Sequence, residues 1–154
     1  MNTEPLSPLE NLLVESEVKK LMNVYCRLAD EFKWEDWAAC FAEDAYFNLP
    51  GTFGEMVGRA TILKTCKGNM DHVYAAQQHY IVNVDITAVS RDEATATGNL
   101  IFVGISDVSK PTEAYQAGGR YEWQFKRING EWKISHAILN FLWNNGQDAD
   151  AVFD

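Results

Sequence analysis

Asp30 and His79 are the two residues whose types and surroundings point most directly to chemistry. Asp30 lies near the end of an otherwise apolar helical stretch, where burying an unpaired carboxylate would cost several kcal/mol. A histidine is a natural partner, because a carboxylate orients the imidazole ring and stabilises its protonated form. His79 would then act as a general base that removes a proton from a small substrate.

The residues around His79 set a condition on that role. One apolar face of the strand predicted for residues 78–87 consists of Tyr80, Val82, Val84 and Ile86. Strict alternation places His79 on the opposite face. We therefore expect either a β-bulge or an inward splay of the strand's first residue if His79 is to face the interior.

Five further residues are candidates for binding a substrate. Tyr25 lies little more than one helical turn before the acidic residue, and its hydroxyl would either hold a substrate oxygen or pack in the core. Tyr46, Tyr121 and Asn140 stand on predicted strands and would line a pocket. Trp143, at the end of the last strand, would close it.

Composition and charge narrow the kind of substrate. The net charge of −9 argues against nucleic acid, anionic membrane surfaces and polyanionic substrates, all of which require a basic face. The aromatic share of 12% suits a dense core or a pocket for a flat apolar ligand. A small, neutral organic molecule fits these numbers best.

The motifs of other function classes are missing from the sequence. No His, Cys or carboxylate cluster has metal-ligand spacing, and no glycine-rich phosphate loop occurs, so we expect no metal and no cofactor. The three cysteines are odd in number and predict reduced thiols in a cytoplasmic protein. No signal peptide and no membrane-spanning apolar run are visible.

The order of elements predicts the α+β class. Ser7 and Glu10 form a capping-box pattern that starts a long first helix, and Asn129-Gly130 predicts a two-residue hairpin. The other elements are expected as helices at 35–41 and 59–70 and strands at 45–49, 78–87, 94–106, 116–128 and 132–143. We expect one domain over residues 1–154, with a flexible terminus at 1–6 and a tail or lid at 144–154.

Ordered motifs over nearly the whole chain resemble SnoaL-like proteins of the nuclear-transport-factor-2-like superfamily. The motifs are residues 25–45, Gly58-Arg59-Ala60, Gln78-His79-Tyr80, Gly118-Gly119-Arg120-Tyr121 and residues 128–134. The resemblance implies a cone-shaped α+β barrel, with N-terminal helices packed on a curved, mostly antiparallel sheet that encloses a pocket. It also implies a homodimer or homotrimer formed through the outer sheet face.

Within that superfamily the sequence most resembles scytalone dehydratase and hexachlorocyclohexane dehydrochlorinase. The resemblance places Asp30 and His79 at the Asp–His pair that serves these enzymes as the base in eliminations. Two features depart from the dehydratase: residues 97–100 contain no second pocket histidine, and residues 119–121 replace its Ser and Asn. A different substrate is therefore expected.

Three functions follow from these observations. The first is a cofactor-independent lyase of the dehydratase type, using the Asp–His base on a small apolar, oxygenated organic substrate. The second is an isomerase or cyclase of a polyketide-like or terpenoid-like substrate. The third is a non-catalytic ligand-binding or assembly module, because this fold serves that purpose as well.

Overall fold

A computed structural model describes residues 5–146 of the chain. The elements, in order, are α1 (Pro8–Asp30), α2 (Trp34–Ala38), β1 (Phe41–Leu49), β2 (Gly54–Val57), α3 (Arg59–Met70), β3 (Ala76–Ala88), β4 (Glu93–Ile105), a short 3₁₀ helix (Pro111–Glu113), β5 (Tyr115–Ile128) and β6 (Glu131–Asn144). Most of the predicted flexible terminus and of the predicted tail or lid lies outside the described residues.

The strands form one six-stranded sheet in the order β2-β1-β6-β5-β4-β3. All neighbours are antiparallel except β1 and β6, which run parallel. The three helices pack on the sheet, which curves without closing into a complete barrel. The predicted α+β fold is therefore confirmed, with an open sheet in place of a closed cone.

Helix α1 begins as the sequence predicts. The Ser7 side chain accepts from the Glu10 backbone, and the Glu10 side chain accepts from the Ser7 backbone. The buried face repeats at helical spacing and consists of Val14, Val18, Met22, Tyr25, Leu28 and Ala29. The apolar residues of the first turns, Leu9, Leu12 and Leu13, are exposed, so the helix packs on the sheet only from its second turn onward.

Several predicted boundaries were wrong near the chain reversal between α2 and β1. The second helix covers only Trp34–Ala38, and β1 begins at Phe41, four residues before the prediction. The reason is a long-range contact, since Ile134 of β6 donates its backbone N–H to the Cys40 carbonyl and draws this segment into the sheet. The short strand β2 was not predicted. The Asn129-Gly130 hairpin is confirmed, with φ of 52° and 83°.

Strand β3 contains a bulge that changes which residues face the core. The pairing of Val82 with Asn99 and of Asp85 with Thr97 leaves Asn83 and Val84 opposite Gly98. Asn83 has φ of 53°, in the left-handed region that Asn tolerates better than most residues. Before the bulge the odd-numbered residues face inward, and after it the even-numbered ones do.

That bulge resolves the conflict around His79. The sequence predicted either a bulge or a splayed first residue, and the bulge lies four residues beyond His79. The neighbours of His79, Tyr80 and Val82, are exposed on the outer face, so the apolar face predicted for the whole strand is divided between the two sides of the sheet.

We predict that Asn83→Val lowers the free energy of unfolding by about 1–2 kcal/mol, because a β-branched residue is disfavoured at positive φ. Asn83→Gly is the matched variant, since both substitutions remove the 3.4 Å side-chain contact with Asn99 and only glycine tolerates the backbone conformation. Urea denaturation monitored by tryptophan fluorescence measures the difference. Equal losses in the two variants would show that the backbone conformation is not the cause.

Candidate active site

Asp30 and His79 meet at the edge of the sheet. The Nδ1 atom of His79 lies 2.6 Å from Oδ1 of Asp30, and the backbone N–H of His79 donates to both carboxylate oxygens at 3.0 and 3.1 Å. The His79 side chain is 13% exposed and the Asp30 side chain is 24% exposed. Because β3 is an edge strand, the outward N–H of His79 has no strand to pair with, and the carboxylate takes that place.

This geometry fixes the roles of the two ring nitrogens. An ionised carboxylate only accepts hydrogen bonds, so the Nδ1 atom of His79 carries the proton that it donates to Asp30. In the neutral ring, Nε2 then keeps its lone pair. The ring is held against Phe102, its cross-strand neighbour on β4, at a centroid distance of 4.8 Å.

The end of α1 is shaped to present Asp30. Phe32 follows the helix with φ of 57° and donates its N–H to the Ala29 carbonyl, and Lys33 donates to the Leu28 carbonyl. These are the two hydrogen bonds of a Schellman motif. The side chain of Gln77, buried on β3, donates from Nε2 to the same Ala29 carbonyl at 2.7 Å. The last helical turn is thereby tied to the strand that carries His79.

His79 opens onto a cavity between the helices and the inner face of the sheet. The lining residues surround about 690 Å³ of empty space, which includes open solvent at the mouth. Nine aromatic side chains line it: Tyr25, Trp34, Trp37, Phe47, Phe53, Phe102, Tyr115, Tyr121 and Phe141. No Lys, Arg, Asp or Glu is among the described residues that line the cavity. The space therefore favours a neutral, largely apolar molecule.

Two of the predicted substrate-binding residues face each other across this cavity wall. The hydroxyl oxygens of Tyr25 and Tyr121 lie 3.1 Å apart, and both residues are buried. Burial raises the pKa of each phenol well above its ordinary value. Both side chains are therefore neutral hydroxyl groups at physiological pH.

The other three predicted binding residues lie on the outer face of the sheet. Tyr46 stacks on His136 at 4.6 Å and donates its hydroxyl to Glu55. Asn140 is exposed and stands opposite Arg120. Neither residue lines the cavity. The predictions that Tyr46 and Asn140 line the pocket were wrong, because alternation along β1 and β6 directs their buried neighbours inward instead.

Trp143 is also directed away from the cavity. A bulge at Leu142 shifts the pairing of β6, so that Trp143 lies opposite Gly118 while Phe141 lies opposite Gly119. The indole covers Gly118, where any Cβ would overlap it. Phe141 lines the cavity in the position predicted for Trp143. The bulge was not visible in the sequence.

Several lining residues were not predicted as part of a site. Phe102 could have been predicted, because a strand antiparallel to β3 must place some residue beside the His79 ring. Trp34 and Trp37 are buried, and they line the cavity as well. Phe53 belongs to a loop for which the sequence offers no pattern.

The three cysteine side chains are unreactive. Cys26, Cys40 and Cys66 are free, and burial raises their pKa values to about 12, 11 and 12. They are therefore thiols and poor nucleophiles.

Within residues 5–146 no group of three or more His, Cys, Asp or Glu side chains could hold a metal ion. No helix in the described part of the chain is long and apolar enough to cross a membrane.

Comparison with known families decides where the chain belongs. The model of the SnoaL-like domain matches residues 10–138. The chain belongs to the SnoaL-like family. Among curated proteins, none matches the sequence.

Solved structures of other proteins have the same fold as this chain. A proposed scytalone dehydratase from Novosphingobium aromaticivorans superposes with a TM-score of 0.81 at 22% identity, covering 90% of this chain and 91% of that one. The hexachlorocyclohexane dehydrochlorinase LinA type 3 from Novosphingobium barchaimii gives 0.76 at 19% identity, with 90% and 93% covered. An NTF2-like protein with a cystatin-like fold from Novosphingobium aromaticivorans gives 0.69 at 22%, with 93% and 90% covered.

We predict that Asp30 determines the tautomer of His79. In the wild-type protein the neutral ring should be protonated at Nδ1, and Asp30→Asn should increase the population protonated at Nε2, because an amide also offers a donor to Nδ1. Nitrogen-15 NMR of the labelled imidazole measures this, with His72→Gln and His136→Gln used to assign the three rings. An unchanged tautomer in Asp30→Asn would contradict the prediction.

Proposed function

We propose that this chain is a cofactor-independent lyase of the dehydratase type that acts on a small, neutral, largely apolar and oxygenated substrate. His79 is the general base and Asp30 is the residue that orients it. The observation that carries the proposal is the 2.6 Å hydrogen bond between Nδ1 of His79 and Asp30, which leaves Nε2 for an apolar cavity that no charged side chain of residues 5–146 lines.

The elimination balances with the residues present. Nε2 of His79 takes a proton from a substrate carbon, and the C–H electron pair becomes the new C=C bond. The leaving hydroxyl takes a proton back from the imidazolium and departs as water. Asp30 stabilises the imidazolium between the two transfers, because its carboxylate lies against Nδ1 throughout.

The names of the structural neighbours support an elimination over other reactions. One is a proposed scytalone dehydratase and another a hexachlorocyclohexane dehydrochlorinase, and both names denote loss of a small molecule from a substrate. At 22% and 19% identity these neighbours share the fold with this chain. Their substrates are therefore not assigned to it.

An isomerase or cyclase of a polyketide-like or terpenoid-like substrate is the second candidate. The observation that favours it is the nine-aromatic lining, which suits ring systems with no leaving group. The same base would then return its proton to a different carbon. A purely ligand-binding module would use the cavity without any proton transfer.

We predict that the wild-type protein exchanges a C–H proton of small cyclic ketones with D₂O, and that His79→Ala slows this by roughly 10²–10⁴-fold. The panel would be 2-tetralone, cyclohexanone and 4-hydroxy-2-tetralone, with mass spectrometry for exchange and absorbance of the conjugated product for dehydration. His72→Ala is the matched control, because His72 is exposed and away from the cavity.

The panel separates the three functions. Dehydration of the hydroxyketone that depends on His79 supports the lyase, whereas exchange or double-bond migration without loss of water supports the isomerase. Binding of the ketones with no exchange above buffer in the wild-type protein would contradict both enzyme functions and leave the ligand-binding module.

We also propose that the chain forms a homodimer or homotrimer through the outer sheet face. Tyr80, Val82, Ile101 and Trp143 expose between 38% and 48% of their surface there, on neighbouring strands. We predict that Ile101→Lys dissociates the oligomer, because a charge at its centre cannot be desolvated without a partner. Sedimentation velocity measures the change, and Val108→Lys, on an exposed loop, is the control. A wild-type monomer at 100 μM or so would refute this proposal.

A further inference from the structure

Gln77 is the only buried residue with an amide or a charged group in its side chain among residues 5–146. It stands on β3, two residues before His79 and on the same inward face of the strand. A buried position of this kind usually holds an aliphatic or aromatic side chain. The described residues that line the cavity do not include Gln77, so its amide acts on something other than the substrate.

The amide of Gln77 is only partly satisfied. Its Nε2 atom donates to the Ala29 carbonyl at 2.7 Å, and its Oε1 atom is buried without a partner in the described part of the chain. A buried acceptor without a donor is unfavourable, and an apolar side chain of the same shape would remove that cost. Folding stability therefore does not account for an amide at this position.

The Ala29 carbonyl has a second donor besides the Gln77 amide. It accepts the Phe32 N–H at 3.0 Å, as part of the Schellman motif that ends α1. Removal of the glutamine amide would therefore leave this carbonyl hydrogen-bonded. What the amide adds is a fixed position, because it holds the backbone immediately before Asp30 against β3.

Two neighbouring contacts join the end of α1 to β3, and they differ in their dependence on charge. His79 holds the Asp30 carboxylate through its ring and its backbone N–H, and Gln77 holds the adjacent Ala29 carbonyl. The ring contact changes strength when His79 gains or loses a proton, because hydrogen bonds between ionised groups are stronger than those of neutral groups. The Gln77 contact joins two neutral groups and is the same in both states.

We propose that Gln77 is a positioning residue for the Asp30–His79 pair. Its amide fixes the distance between α1 and β3, so that the carboxylate stays against Nδ1 while His79 takes up and releases a proton. This rests on the proposed function of His79 as the base. Gln77 then serves the geometry of the pair, although the core would be at least as stable with an apolar side chain in its place.

Gln77→Met tests the stability half of the proposal, because methionine has a similar length and volume and no strong donor or acceptor. Ile81→Met is the matched control, since Ile81 lies two residues beyond His79 on the same inward face and packs against the core. Urea denaturation should give Gln77→Met a midpoint equal to or above that of the wild-type protein. A midpoint below those of both the wild type and Ile81→Met would make Gln77 a residue of folding stability and overturn the proposal.

The geometry of the pair can be measured without a substrate. Nitrogen-15 NMR of the labelled His79 ring reports which nitrogen carries the proton in the neutral form. In Gln77→Met the carboxylate is held less firmly against Nδ1, so the population protonated at Nε2 should rise about twofold or more. Ile81→Met should keep the wild-type population. An unchanged population in Gln77→Met would overturn the proposal.

The exchange of ketone protons with D₂O gives a third measurement. Gln77→Met should lower kcat by roughly tenfold or more, because a displacement of about 1 Å at a reacting group slows a reaction severely. The value of KM should change by less than about twofold, since the amide acts on the pair and not on the bound molecule. Ile81→Met should change kcat less than Gln77→Met does.

The failures of the two proposals are distinguishable. Exchange that depends on His79 and is unaffected by Gln77→Met would overturn the positioning role and keep the base. An altered His79 tautomer in Gln77→Met, together with no exchange in the wild-type protein, would overturn the enzyme function. Gln77 would then still be the residue that positions the pair.

Discussion

The carboxylate of Asp30 stands at the C-terminal end of α1, where the carbonyl groups of the helix already concentrate negative charge. A carboxylate at that position is disfavoured by the helix and gains nothing from a purely apolar neighbour. It is stabilised here by two donors of one residue, the ring and the backbone N–H of His79. The arrangement requires a strand edge with a free N–H at this place, and the edge strand β3, on which the end of α1 packs, provides it.

Much of the fold follows from local signals in the sequence, and the exceptions have identifiable causes. The capping box at Ser7 and the Asn129-Gly130 turn depend on neighbours within a few residues, and both were predicted correctly. The start of β1 depends on Ile134, which is distant in sequence, and was not. Periodicity predicts long, regular elements well and fails where a single long-range hydrogen bond extends a strand.

Two bulges explain part of what could not be predicted about the site. Each inserts one residue and reverses the inward face for the rest of its strand, at Asn83 in β3 and at Leu142 in β6. Alternation counted from a distant residue is then wrong beyond the bulge, as at Trp143, which lies opposite Gly118 on the outer face. The Asp30–His79 pair was predicted because a buried carboxylate requires a partner and because the family resemblance places both residues at an Asp–His pair; strand alternation alone did not predict it.

Helix α1 carries Tyr25, which lines the cavity, and, five residues later at its end, Asp30, which holds His79. A shift of the helix along β3 would therefore move the Tyr25 hydroxyl and the Asp30 carboxylate together. The Gln77 side chain resists such a shift, because it holds the Ala29 carbonyl between the two features.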